Sequence, residues 1–178
     1  GHNLMDHHLR LGASADIDGF EDTYYTGRRP GGIYIPRFVN IGGSSNVKDF
    51  VRGYGFQGSA KRGPNKGNGS DQAYGPNFKK IIQTPGPWKI NLGGFGEILP
   101  YHDNRMYLDY NKKDKWGLPT VTFDAEIKEN EKLMRKHLLE QIAEMLDSAG
   151  FKNIKTRDNG YYYGAGIHEM GTARMGLD

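Results

Sequence analysis

The sequence contains no cysteine, only two tryptophans, no apolar run of membrane-spanning length and no large excess of charge. Without cysteine there is neither a disulfide framework nor a thiolate metal site, and the compartment stays open between cytoplasm and periplasm. No stretch approaches the roughly 18 to 20 apolar residues a transmembrane helix needs. No charged start leads into an apolar segment either, so neither a membrane span nor a signal peptide is expected and the chain reads as soluble. The 24 basic and 21 acidic residues leave a net charge of +3, too small an excess to call for a nucleic acid partner.

What the chain does have is 178 residues, enough for one core, with 26 glycines and 11 tyrosines, a composition of turns and half-buried strands rather than of a helical bundle. Alternation of apolar with polar or small residues predicts a first strand in "HHLRLGASADI" (7–17), and "IYIPRFVN" a second, with Pro36 at an edge because it cannot donate to a ladder. "DFVRGYGFQG" reads as a third. Ser59 to Asn77, punctuated by glycine and proline, reads as a long exposed loop. "WKINLGGFGEIL", "RMYLDY" and "KDKWGLPTVTFDA" then predict an antiparallel meander, and "FKNIKTR" a last strand. One helix is clear: Met134, Leu138, Ile142, Met145, Leu146 and Ala149 recur at steps of three and four, with Asp124 as the N-cap and Gly150 at the left-handed C-terminal position. The expectation is α+β: an antiparallel sheet of about six strands with helices packed on one face.

Several stretches look like motifs. "GYGFQG" places Gly53, Gly55 and Gly58 in the Gly-x-Gly-x-x-Gly pattern, but no helix can follow in "SAKRGPNKGNGS", so it reads as a strand with close backbone approach and not as a pyrophosphate cradle. "DHH" (6–8) suggests metal ligands, yet adjacent strand residues face opposite ways, and no metal site is expected. "HE" at 168–169 lacks the second histidine four positions on that zinc proteases need; Thr172 stands there. The lysines and arginines around Lys61, Arg62, Lys66, Lys79 and Lys80 read as a solvated surface. Tyr161, Tyr162 and Tyr163, with Trp88 or Trp116, could stack on a sugar or flavin ring, and suit a sheet surface equally well. His168 precedes Gly171, Thr172 and Gly176 in a tightly turned backbone that could hold an imidazole while leaving it reachable; a buried histidine bonded to backbone is the competing reading.

"HEMGTARMG" (168–176) together with "GHNLMDHH" (1–8) resembles the glucose-methanol-choline family of flavin-dependent oxidoreductases, whose chains leave the flavin domain through a Gly-Arg-Asn-Leu-x-Asp-His-like segment and return through a His-x-x-Gly-Thr-x-x-Met-like one. "DKWGLPTVTFD" is similar to the sugar dehydrogenase branch. The resemblance implies that residues 1–178 are a substrate-binding domain, with the Rossmann-like flavin domain outside them. By the same resemblance, His168 is the catalytic acid/base, and Gly171, Thr172, Arg174 and Asn3 lie near FAD. Tyr163 and His7 are candidate substrate contacts, and Asp6 also matches the exit segment. The partners implied are a small alcohol or sugar and the rest of a parent chain, and the isolated chain is expected neither to hold FAD nor to turn over. His2 departs from the arginine usual in the branch, and no flavin fingerprint or second catalytic residue is present. From a different class, a non-catalytic carbohydrate-binding module using exposed aromatics is the alternative.

Overall fold

The computed structural model describes residues 1–20, 32–64 and 75–176, in the order β1 (Leu11–Ile17), β2 (Ile33–Ile35), β3 (Tyr54–Pro64), α1 (Gly75–Gln83), β4 (Pro85–Gly96), β5 (Arg105–Lys113), β6 (Pro119–Asp124), α2 (Glu129–Ser148) and β7 (Lys152–Asp158). Five strands form one antiparallel sheet in the order β2-β3-β4-β1-β7, and β5 and β6 form a separate two-stranded sheet. The class is the α+β expected, but the single six-stranded sheet is not what forms. Nor is there a meander from β4 into β5: β4 already has β3 on one edge and β1 on the other, so no edge is left for β5.

The strand boundaries move for physical reasons. β1 starts at Leu11 rather than His7, because the preceding residues make isolated bridges to other segments, Met5 to Met170 and His7 to Glu97. β2 ends at the residue before Pro36, which cannot donate to a ladder. β3 runs on through Ser59–Pro64, where a loop is expected from composition: Ala60, Lys61 and Arg62 pair with Ile90, Lys89 and Trp88, and the Arg62 guanidinium donates to the Gly86 carbonyl at 2.8 Å. The rest of that expected loop lies outside the described residues, except Gly75–Asn77, which open the unforeseen helix α1. Gly58 shows why the "GYGFQG" stretch needs its glycines: a Cβ there would lie 1.9 Å from the Asn91 carbonyl oxygen on β4.

The core sits between α2 and the sheet. Met134, Leu138, Ile142 and Leu146 recur every four residues and are almost fully buried on Leu11, Ala13, Ala15, Phe56 and Leu92, each large side chain contributing about 1.5–3 kcal/mol. Gly94 and Gly96 let the helix approach, since a Cβ would fall 2.5 Å from Leu138 and 2.8 Å from the Met134 sulfur. Met145 is only partly buried and Ala149 is exposed, so the stripe ends one turn earlier than its period suggests. Asp124 does not cap this helix. It closes β6 and pairs with Arg105 at 3.1 Å, whereas the helix starts after Lys128, whose N–H is taken by the Glu131 carboxylate at 2.9 Å. Gly150 closes it as expected, at φ +80°, with Phe151 donating to Leu146 at 3.0 Å. No helix among the described residues is long and apolar enough to cross a membrane.

Candidate active site

Residues 1–8 cross the end of the sheet and draw the chain's far segment onto it. Leu4 N–H donates to the Asn104 carbonyl (2.8 Å), Met5 and Met170 exchange N–H···O bonds (2.9 Å each), and His8 N–H donates to Gly96 (2.7 Å). Gly171 makes this pairing possible: it sits at φ +101°, and a Cβ would lie 1.9 Å from the Asn3 carbonyl oxygen.

At the centre of the pairing is Asp6, 3% exposed. One carboxylate oxygen accepts the His7 N–H (2.7 Å) and the other the Tyr161 hydroxyl (3.2 Å). Burial and the neighbouring Asp6 charge push the Tyr161 phenol well above its usual range, so it stays a donor. Gly166 packs against the same carboxylate, where a Cβ would fall 2.2 Å from an oxygen. The Gly166 carbonyl in turn takes two ring nitrogens, His7 Nε2 and His168 Nδ1, at 2.9 Å each. His7 and His168 thereby meet, their ring centroids 4.8 Å apart. Between Gly166 and His168 stands Ile167 at φ +60° and 85% exposed, a β-branched residue in a left-handed conformation that it strongly disfavours; that turn sends His168 back onto Gly166.

A carbonyl can only accept, so neutral His168 carries its hydrogen on Nδ1 and presents a bare Nε2 lone pair. His168 is exposed, which leaves that nitrogen reachable. Four residues expected near a cofactor, Asn3, Gly171, Thr172 and Arg174, line one cleft of about 610 Å³ together with Glu169 and the apolar Met5, Pro100, Met170 and Ala173. His7 lines a second cleft of about 280 Å³ with Tyr34, Arg37, Gln57, Phe95 and Glu97. Its charges are mutually paired: Glu97 lies 3.6 Å from Arg37 and 3.5 Å from Arg52. Phe95 stands beside His7, ring centroids 5.5 Å apart. Gly53 and Gly55 of the "GYGFQG" stretch also line this cleft, and both are required for close approach, since a Cβ would fall 2.6 Å from the Val39 oxygen at Gly53 and 2.7 Å from the Ile35 oxygen at Gly55.

Tyr163 does not join the two histidines. Its hydroxyl is held by Asn104 Nδ2 (2.7 Å), and it braces the loop against Glu126 instead. His8 turns the other way from His7, fully buried beside Arg135. Burial and the Arg135 charge push its imidazole down to about 3, so it is neutral. Among the described residues no group of three or more His, Asp or Glu side chains is placed to hold a metal ion.

Tyr34, Arg37, Gln57, Phe95 and Glu97 were missed as site residues because they are scattered over β2, β3 and β4 and become neighbours only through the strand order. No local signal marks them, except that Arg37 and Glu97 place opposite charges just beyond strands that otherwise alternate apolar and small side chains.

No family model matches the sequence. Over 182 aligned residues the chain is 29% identical to 2-methyl-1,2-propanediol dehydrogenase of Mycolicibacterium austroafricanum, an alignment that takes in 99% of this chain and 32% of that protein, so the chain spans about a third of the length of the curated relative it matches.

Proposed function

We propose that the chain is the substrate-binding part of a flavin-dependent oxidoreductase of the glucose-methanol-choline type, acting on the CH–OH group of an alcohol of the sugar or polyol class. The observation that carries this reading is His168: its Nδ1–H is engaged by Gly166, its Nε2 is bare, and its ring meets that of His7, which lines a cleft. The relative named for a diol dehydrogenase supports the alcohol as substrate class. A cleft of paired charges, a glutamine and a phenol suits a ligand with several hydroxyl groups, which both donate and accept.

The residues present fit the ring end of a flavin. Asn3, Gly171, Thr172 and Arg174 line an open cleft of a size usual for ligands, with Met5, Pro100, Met170 and Ala173 as apolar wall and Arg174 as the group that would supply a positive charge there. They do not fit its pyrophosphate, since the Gly-x-Gly-x-x-Gly stretch is part of β3 and opens no helix. The flavin, when bound, supplies a two-electron acceptor for the hydride of the carbinol carbon. His168 Nε2 takes the hydroxyl proton, the C–O bond becomes a carbonyl, and the exposed imidazolium passes the proton on to water; the Gly166 hydrogen bond is unchanged throughout, so the base need not reorient.

In the parent enzyme, His168→Ala should lower kcat by about 10²–10⁴-fold while flavin absorbance stays stoichiometric. Turnover at the wild-type rate would remove the enzyme reading. A carbohydrate-binding module has one observation in its favour, the exposure of Tyr110 and Trp116 on and beside the β5–β6 hairpin, and sugar binding abolished by Trp116→Ala together with unchanged His168→Ala turnover would select it.

A further inference from the structure

The ring of His7 has acceptors at both ends. Its Nδ1 lies 2.7 Å from the His8 carbonyl oxygen and its Nε2 lies 2.9 Å from the Gly166 carbonyl oxygen. Neither oxygen can donate, so the ring satisfies both contacts only with a hydrogen on each nitrogen. The Gly166 oxygen has a second lone pair, and that one receives His168 Nδ1–H. The four groups therefore form one directed chain, in which His7 donates to the His8 and Gly166 carbonyls and His168 donates to Gly166.

Resting on the function proposed above, we infer that His7 is a cationic positioning residue: an imidazolium clamped between two carbonyls, which fixes the Gly166 oxygen and through it the tautomer of His168. The groups around it suit that role. Asp6, whose carboxylate holds the His7 backbone N–H, supplies a buried counter-charge within one residue. His8 is neutral, Phe95 presents an aromatic ring, and Glu97 and Arg37 largely offset each other across the cleft. With ring centroids 4.8 Å apart, a second imidazolium at His168 would face a like charge, so before turnover the pair favours one charged ring and one neutral one, and a proton taken up by His168 is driven off again to water. The neutral ring is the base. When the substrate hydroxyl gives its proton to His168 Nε2, negative charge would build on the substrate oxygen, and a cationic ring in contact with His168 would stabilise it.

A long-range ¹H–¹⁵N correlation spectrum of the histidine-labelled 178-residue chain near neutral pH reads all the ring states at once. We expect His7 with both nitrogens protonated, His168 with Nδ1 protonated and Nε2 bare, and His8 neutral. In His7→Gln the His168 pattern should become a mixture of tautomers, and in the parent enzyme the same substitution should lower kcat at least tenfold with KM changed less than threefold. A His7 spectrum with one bare nitrogen, or a His168 tautomer unmoved by His7→Gln, overturns the inference and leaves the proposed function standing. Full turnover by His168→Ala removes that function and leaves the His7 spectrum untouched, so the two failures are distinct.

Discussion

His7 and His8 are consecutive in the chain and belong to two different regions. His8 is fully buried against Gly96 and Arg135, at the edge of the core that α2 closes over the sheet. His7 faces the cleft, in the region where residues 1–8 meet residues 161–172. The first region is held by apolar burial: four helix residues in a stripe, facing strands whose inward positions are alanine, leucine, isoleucine and phenylalanine. The second is held by backbone pairing, a buried carboxylate and glycines at positions where no Cβ fits. Apolar packing is distributed over many contacts, whereas the paired segments depend on a few bonds with fixed partners. The first should therefore set the stability of the molecule and the second its chemistry.

The sharpest way to separate them is Leu138→Ala. Leu138 is fully buried and seats on Gly94, so the truncation leaves a cavity that β4 cannot fill with a side chain. A loss of about 2–5 kcal/mol in urea denaturation is expected, with the His7 and His168 ring states unchanged in the folded fraction. If those states change as well, the site is not independent of the core.

Acid should act next most strongly, and through His8. Its folded-state value is depressed to about 3, from an ordinary 6.5, chiefly by burial and then by the Arg135 charge. Above pH 6.5 neither state takes up the proton and the contribution is intact. Below it the unfolded chain binds the proton and the folded one does not, so stability falls at about 1.4 kcal/mol per pH unit until the folded value is reached. Between pH 7.5 and pH 5 the loss should be about 2 kcal/mol, and His8→Phe should flatten that part of the curve; an unchanged slope in the variant would assign the acid sensitivity elsewhere. Asp158 acts in the same direction at lower pH. Burial raises its carboxyl, but hydrogen bonds and charge from Arg135 outweigh burial and hold it below its usual range, so its contribution fades as pH falls through that depressed value.

These two regions were also unequally legible in the sequence. The α2 stripe is a local pattern, and Met134, Leu138, Ile142 and Leu146 can be placed from their spacing alone. The Ser59–Pro64 half of β3 could not be, because it offers one small apolar residue, Ala60, among polar, charged, glycine and proline residues, and is held instead by its pairing with β4 and the Arg62 bond to Gly86. The strand order β2-β3-β4-β1-β7 is a non-local outcome, and the cleft residues on three of those strands followed it out of sight. At the site, His168 and its glycines stood out through resemblance, but the shared Gly166 oxygen and the burial of Asp6 did not, since both depend on segments about 160 residues apart coming together. Tyr163 was overvalued for its aromatic neighbours; its hydroxyl belongs to Asn104.

The smallest global effect should come from the site region itself. Gly171→Val adds a branched side chain at φ +101° with its Cβ 1.9 Å from the Asn3 oxygen, so residues 1–5 and 170–172 cannot keep their present pairing. Met5 and Met170 each donate to the other at 2.9 Å, and their amides are the ones that should lose hydrogen-exchange protection. Because Met5 and Met170 lie outside the core cluster that α2 closes, the global unfolding free energy should fall by less than about 1 kcal/mol, below the Leu138→Ala effect. The His168 tautomer should meanwhile become mixed, as Gly166 and Asn3 are held by the same paired segments. If Gly171→Val instead unfolds the whole chain as readily as Leu138→Ala does, core and site form one cooperative unit, and the division between a region for stability and a region for chemistry fails.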